Sequence, residues 1–227
     1  MKAMILAAGF GERMRPLTDH TPKPLLRVAD VPLIEYHIRA LADAGFRELV
    51  VNVSHLASQI TDYCGDGSKW GVSIVYSPEN EPLETAGGIH RALPLLGEGD
   101  FLVVNGDVWI DYAFDQLSDY RFKSWESAHL VMVDNPPQHP LGDFCLGDQN
   151  AVHYRPSDAT GYTYAGVGVF SAAFFATMSP GKLPLRPLLD NAIGAGSLGA
   201  EYHDGEWEDV GTPERLAALD TRIRALR

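Results

Sequence analysis

The run Ala3-Met-Ile-Leu-Ala-Ala8, closed by Gly9 and Gly11, constrains the fold more than any other stretch. A short apolar run bounded by glycine suits a strand buried on both faces, although periodicity alone does not separate it from a short buried helix. Glycine lets the backbone turn sharply and approach a ligand closely, because no Cβ stands in the way. Arg13, Arg15, Lys23 and Arg27 follow at once. A strand that opens into a glycine turn edged with cations can hold phosphates through backbone N–H groups and charge-assisted hydrogen bonds. Pro16, Pro22 and Pro24 cut any helix short, so the segment reads as an ordered loop. Lys23 lies between two prolines, which restrict the backbone that aims its ammonium group.

Rival readings exist. A strand followed by glycines is also a plain tight turn. The dinucleotide fingerprint G-x-G-x-x-G fails, because Met14 stands at the third glycine. Asp30 lies at the spacing of a ribose contact, but the prolines spoil the expected helix-to-strand path. The P-loop pattern is absent. What remains is G-x-G-x-R followed by P-K-P, a combination that puts a phosphate site ahead of a structural turn. The charge balance agrees. The chain carries a net charge of −12, which argues against nucleic-acid binding. Yet its first 27 residues hold Lys2, Arg13, Arg15, Lys23 and Arg27 against only Glu12 and Asp19. A locally basic start in an acidic protein suits a polyanionic small molecule.

Beyond the opening loop, strands and helices alternate. Leu33 to Leu41 reads as an amphipathic helix, Glu48–Val53 as a buried strand, Leu56–Tyr63 as a helix and Val72–Tyr76 as a strand. A loop from Pro78 feeds a helix from about Gly88 to Leu96, with Thr85 as its cap, and Phe101–Asn105 is again a strand. That alternation predicts an α/β fold: a Rossmann-like, mostly parallel twisted sheet with helices on both faces. Ligands then sit beyond the carboxyl ends of the strands, where one crevice can collect Gly9, Thr85 and Asp107. In the second half, a helix over Phe114–Trp125 and strands at 128–133, 144–146, 151–154 and 162–170 are expected. Helices follow at 172–178 and 185–193, then a hairpin within 200–215. Thr212, Pro213 and Glu214 signal a last helix, with Leu216, Leu219, Ile223 and Leu226 on one face. With no linker or repeat, residues 1–227 read as a single domain. Cys64 and Cys145 form no C-x-x-C pair and suit free thiols in a reducing compartment, with a single disulfide as the alternative. No apolar run is long enough for a membrane span, and no signal peptide is recognisable. The setting reads as cytoplasmic, with no obligate protein partner evident.

An Asp after a strand and a glycine is most often a turn residue. Asp107, however, leaves an apolar strand at the edge where the phosphate loop should lie. Phosphates would repel that carboxylate unless a cation intervened. Mg²⁺ is the natural bridge, since it takes one or two carboxylates and completes its shell with water and phosphate oxygens.

Leu6-Ala-Ala-Gly-Phe-Gly-Glu-Arg-Met-Arg-Pro-Leu-Thr18 with Pro22-Lys-Pro24, then Asn105-Gly-Asp107, Tyr164-Ala-Gly166 and Trp207-Glu-Asp-Val-Gly-Thr-Pro213, resembles the sugar-1-phosphate nucleotidylyltransferase family over essentially the whole chain. Within that family the sequence is most similar to the short bacterial uridylyltransferases that act on N-acetylmuramic acid 1-phosphate in cell-wall recycling. Many relatives append a left-handed β-helix, which this chain lacks. The resemblance implies a glycosyltransferase-A-like nucleotidyltransferase fold. It also implies attack of a sugar 1-phosphate on the α-phosphorus of UTP, with loss of pyrophosphate. By position, Gly9, Gly11 and Arg13 would hold the triphosphate, with Ala7 and Ala8 near the base. Lys23 would bridge the α-phosphate and the sugar phosphate. Asn80, Thr85 and Gly87 would lie near base and ribose. Asp107 and Asp209 would hold Mg²⁺, and Asn105, Gly142 and Gly166 would line the sugar side. Arg13, Lys23 and Asp107 would carry the catalysis.

Two departures stand out. Tyr154-Arg-Pro156 replaces a frequent Glu-Lys-Pro, which makes Arg155 the candidate for that lysine's place on the sugar side. Glu84 replaces a frequent Gly, so the motif does not fix the base. For the lactyl carboxylate of the sugar, Arg155 is the first candidate and Arg186 the second. The alternatives are a guanylyl- or thymidylyltransferase for a hexose 1-phosphate, and a nucleotide-binding regulatory module without catalysis. The joint presence of Arg13, Lys23, Asp107 and Asp209 argues against the latter. A nicotinamide oxidoreductase is disfavoured by the missing third glycine.

Overall fold

The computed structural model describes residues 1–226. Seven strands form the central sheet: β1 (Lys2–Leu6), β2 (Glu48–Val53), β3 (Ser73–Pro78), β4 (Asp100–Asn105), β5 (Ala128–Val133), β6 (Thr163–Ser171) and β7 (Leu198–Tyr202). Their order is β7-β5-β6-β4-β1-β2-β3. β1 runs parallel to β2 and β4, β2 to β3, and β5 to β7. Only β6 runs antiparallel, to both β4 and β5. The sheet is therefore mostly parallel, as the alternating pattern predicts. The helices are α1 (Leu33–Asp43), α2 (Ala57–Cys64), α3 (Glu84–Leu96), α4 (Arg186–Gly194) and α5 (Pro213–Ala225).

The opening run forms the strand because both of its faces are buried. Successive side chains of a strand point to opposite faces. Ala3 and Ile5 pack with Ile34, Ile38 and Leu41 of α1 and Ile60 of α2. Met4 points the other way, into Ile89 and Leu96 of α3 and Leu189 and Ile193 of α4. A continuous apolar run, rather than an alternating one, is what such a two-sided position requires. A third cluster joins Met14 of the glycine loop, Leu26, Val28 and Leu33 to Val210 and to Leu219 and Ile223 of α5. Ala29 N donates to Asp220 Oδ1 at 2.7 Å, and Arg224 forks onto both carboxylate oxygens of Asp30. α5 thus holds down the loop that carries Lys23. Its start is as expected: Thr212 Oγ1 accepts from Arg215 N, and Pro213 opens the helix. Leu226, expected on the apolar face, is exposed.

Four expected elements differ. The helix over 114–125 is a single turn, Asp115–Ser118. The buried carboxylate of Glu126 accepts from Lys123 N and Tyr120 Oη, which draws residues 119–126 into turns. The stretch after Ala172 is a 3₁₀ turn ending at Phe175. The expected hairpin does not form. Its first half is β7, which pairs with β5 at the sheet edge, where it buries Leu198 and Ala200. Its second half, Trp207–Asp209, pairs antiparallel with Val108–Ile110. Finally, α3 begins at Glu84 rather than Gly88, so Thr85 lies inside the helix and does not cap it. Among the described residues no helix is long and apolar enough to cross a membrane, and both cysteines are free thiols.

Candidate active site

β1, β2 and β4 lie side by side, and their carboxyl ends open on one cavity of about 670 Å³. Gly9 leaves it room: a Cβ there would meet no atom within 4 Å. Gly11 has a different task. Its φ of 65° is the left-handed region, and a Cβ would come within 2.9 Å of Thr18 Cγ2 and 3.3 Å of Lys23 Cβ. The carbonyl of Gly11 accepts from Thr18 Oγ1 at 2.8 Å and from Met14 N at 2.8 Å. The loop is therefore folded tightly on itself and turns its backbone and Arg13 toward the cavity.

Lys23 is nearly buried, 7 % exposed, on a 3₁₀ turn entered through Pro22. Its Nζ donates to Asp107 Oδ2 at 2.7 Å, across 84 residues of sequence. Gly106 permits this geometry, since its N–H bonds Leu6 O and a Cβ would sit 2.5 Å from that oxygen. His37 backs the turn: buried in α1, it donates from Nε2 to Val108 O at 2.8 Å. Burial pushes its pKa down to about 4, so the ring is neutral near pH 7.

A second cavity, of about 390 Å³, adjoins the first. Arg13, Asn105 and Asp107 line both, so the two form one crevice with the Lys23–Asp107 pair at the junction. β6 shapes the second cavity through a register shift between Tyr164 and Gly168. Gly166, at φ 78°, packs against Asn105, where a Cβ would lie 2.7 Å from Nδ2. Trp207 Nε1 donates to Ala165 O at 2.9 Å and pins that irregularity. Pairing of residues 207–209 with 108–110 sets Asp209 opposite Val108, and Val210 N donates to Asp107 O at 3.1 Å. Residues 102 positions apart thus put two carboxylates, Asp107 and Asp209, on the wall of one cavity. Asp209 Oδ2 accepts from Arg215 Nη1 at 2.7 Å.

Among the described residues no group of three or more His, Cys, Asp or Glu is gathered as metal ligands. Two carboxylates nevertheless suit Mg²⁺, which takes one or two from the protein and fills its shell with water and phosphate oxygens. Each carboxylate engages its own cation through Oδ2 alone.

Of the residues singled out from sequence, Ala7, Ala8, Gly9, Gly11, Arg13, Lys23, Thr85, Asn105 and Asp107 line the first cavity. Asn105, Gly166 and Asp209 line the second. Five do not line either. Asn80 is exposed beside the crevice. Gly87 packs under residues 181–183, with its N–H on Leu183 O and Gly181 O where a Cβ would be. Gly142 packs on Asn135 and Tyr162 at φ 71°. Arg155 donates to the carbonyls of Pro156 and Ala159 in its own loop. Arg186 likewise engages Asp190 and lies over the Phe144 ring.

Sequence reasoning missed a buried pair between the loops of the first cavity. Asn52 Oδ1 accepts from Ala7 N at 2.7 Å, and its Nδ2 donates to Glu79 Oε1 at 2.7 Å. Glu79 Oε2 accepts from Leu83 N at 2.9 Å. The signal was present: Asn52 is the polar residue in an otherwise apolar strand interior. Glu84, at φ 60°, occupies a left-handed conformation that costs a glycine least. Lys182 lies 3.8 Å from Glu84 Oε1 at the same rim.

The Nucleotidyl transferase family model matches residues 2–225. The N-acetylmuramate alpha-1-phosphate uridylyltransferase of Neisseria meningitidis serogroup B is 50% identical over 220 residues, 95% of each chain. The protein of the same name from Caulobacter vibrioides is 32% identical over 97% of this chain and 96% of its own. A Bacillus anthracis protein assigned as a glucose-1-phosphate thymidylyltransferase superposes with a TM-score of 0.85 at 20% identity, over 100% of this chain and 96% of its own.

Proposed function

The chain belongs to the nucleotidyl transferase family and is a nucleotidyltransferase enzyme, and we propose that it transfers UMP from UTP to N-acetylmuramic acid α-1-phosphate, giving the UDP-sugar and pyrophosphate. The observation that carries this reading is the pair of cavities that meet at Arg13, Asn105 and Asp107. A nucleotide and a sugar phosphate can each fill one and present their phosphates at the shared wall. The two similar uridylyltransferases support the choice of base and sugar.

In the proposed reaction an oxygen of the sugar phosphate bonds to the α-phosphorus. The bond from that phosphorus to the bridging oxygen breaks, and pyrophosphate leaves with the electron pair. The phosphate nucleophile is already ionised at neutral pH, so positioning and charge neutralisation do most of the work. Gly9 and Gly11 bring backbone close to the triphosphate, and Arg13 neutralises it. Lys23, held by Asp107 over the junction, stabilises charge on the α-phosphoryl oxygens, where it is needed most in the transition state. Asp107 and Asp209 would hold Mg²⁺, which when bound supplies positive charge to phosphate oxygens. The reading implies one functional unit over residues 1–227, cytoplasmic, serving peptidoglycan recycling.

Pyrophosphate release measured with UTP, GTP, dTTP and ATP against a panel of sugar 1-phosphates tests it. UTP with N-acetylmuramic acid 1-phosphate should give the highest kcat/KM. A clear preference for GTP or dTTP with a hexose 1-phosphate would replace the reading.

A further inference from the structure

We propose that His139, assisted by Gln138, reads a carboxylate on the sugar substrate and so sets the preference for an acidic sugar 1-phosphate. The inference rests on the substrate reading above and assigns a residue to it. An acidic sugar brings a negative charge beyond its phosphate, and a partly enclosed site must pair that charge or reject it. The two arginines that sequence offers for this task lie elsewhere, Arg155 on its own loop carbonyls and Arg186 on Asp190. Among the residues lining the second cavity, only Arg13 and His139 can carry positive charge. Arg13 also lines the first cavity, at the phosphate junction. His139 lines only the second, on the wall formed by residues 136–143.

Its setting is built rather than incidental. Asp143 accepts from Tyr164 N at 2.9 Å through Oδ2, which ties the carboxylate to β6. Its Oδ1 lies 3.1 Å from His139 Nε2. The imidazole is thereby oriented from behind, and its Nδ1 makes no hydrogen bond among the described residues. The backbone is fixed as well: His139 N donates to Pro136 O at 2.8 Å, and Gly142 N to His139 O at 3.1 Å. Asn135 clamps the loop by donating to Gly161 O at 2.7 Å and accepting from Thr163 Oγ1 at 2.8 Å. Gly142, at φ 71°, leaves no space for a Cβ beside Asn135, so this glycine serves the loop that presents His139. With Asp143 facing one nitrogen and a substrate carboxylate facing the other, an N–H on each nitrogen would pair with one carboxylate. Gln138 adds a neutral amide donor on the same wall.

The test compares kcat/KM for N-acetylmuramic acid 1-phosphate and N-acetylglucosamine 1-phosphate, which lacks the lactyl carboxylate, in the wild-type enzyme, His139→Ala, His139→Asn and His139→Arg. The wild type should prefer the first. His139→Ala should reduce that preference by about 10-fold or more, the range of a charge-assisted hydrogen bond. His139→Asn, which keeps a donor without the charge, should fall between, and His139→Arg should retain more preference than His139→Ala. The loss should appear in KM for the acidic sugar phosphate and not in KM for UTP. Equal losses on both sugars, with a preserved preference in the variants, would overturn the role of His139 and leave the substrate reading standing. A wild-type enzyme that favours the sugar without the lactyl group would overturn the substrate reading itself. If His139→Ala misfolds, the same ratio is read in His139→Asn.

Discussion

Asn52 is expected to be the side chain whose loss most damages the nucleotide half of the crevice. Its amide has one solution: Ala7 N–H requires an acceptor and the Glu79 carboxylate requires a donor, so both ends are assigned by chemistry. Asn52, Ala7 and Glu79 are all buried. Truncation to Ala strands a backbone N–H and removes a donor from a carboxylate, each at about 1–3 kcal/mol. Water can enter from the adjoining cavity and recover part of this, so about 2–3 kcal/mol is expected for Asn52→Ala. Asn52→Leu fills the volume and keeps water out, so it should cost more, about 3–5 kcal/mol by the same sum. Asn52→Asp keeps the acceptor for Ala7 but faces Glu79 with a like charge, and its deficit should shrink as the pH is lowered and the two share a proton. Urea denaturation gives the stabilities, and KM for UTP reports the displaced loop. An Asn52→Ala enzyme within about 0.5 kcal/mol of wild type, the range of an ordinary surface change, and with unchanged KM would refute this linkage.

Lys23→Ala should lower kcat by at least about 100-fold, as for loss of one preorganised donor, and a change confined to KM would mean that Lys23 binds ground and transition states alike. Gly166→Ala must hold a left-handed φ, at about 1–2 kcal/mol, and displace Asn105, so KM for the sugar phosphate should rise more than KM for UTP; equal changes would discount the contact. His37 gives a pH signature. Its folded pKa, about 4, lies below the ordinary histidine value of 6.5, so the unfolded chain binds more protons between those values. Its contribution is present above pH 6.5 and lost as pH falls toward 4, by at most about 3 kcal/mol. Subtracting the pH–stability profile of His37→Gln from that of wild type should reveal this slope, and parallel profiles would exclude it.

Much of the fold was legible because β1 had to be buried on both faces, and its neighbours carry the same apolar signature. The antiparallel insertion of β6 was not legible, since an apolar strand looks alike in either direction. Nor was the single turn at 115–118, which depends on the carboxylate of Glu126 reaching back to residues 120 and 123. Placement just past strand ends was legible: Gly9, Gly11 and Asp107 line the first cavity, where β1 and β4 deliver them. Gly87 and Gly142 line neither cavity, for a common reason. Glycine marks close approach, but sequence does not say whether the neighbour is a ligand or another part of the chain. Here the neighbours are Gly181 O and Asn135. His139 carried no local signal, because its role depends on Asp143 being anchored to Tyr164 across the cavity wall.

The ribbon between residues 108–110 and 207–209 also dictates when activity can appear during synthesis. A nascent polypeptide with residues 1–105 outside the ribosome already contains the parallel strands β1 to β4 and the glycine loop. It lacks Asp209, and it lacks α5, whose Leu219 and Ile223 brace Met14 and Leu26 beneath that loop. A ribosome stalled between residues 107 and 207 would therefore carry the glycine loop and Asp107 without the strand that sets Asp209 beside them. Segments about 100 residues apart thus share one crevice wall, and a frameshift upstream of residue 207 would remove part of it.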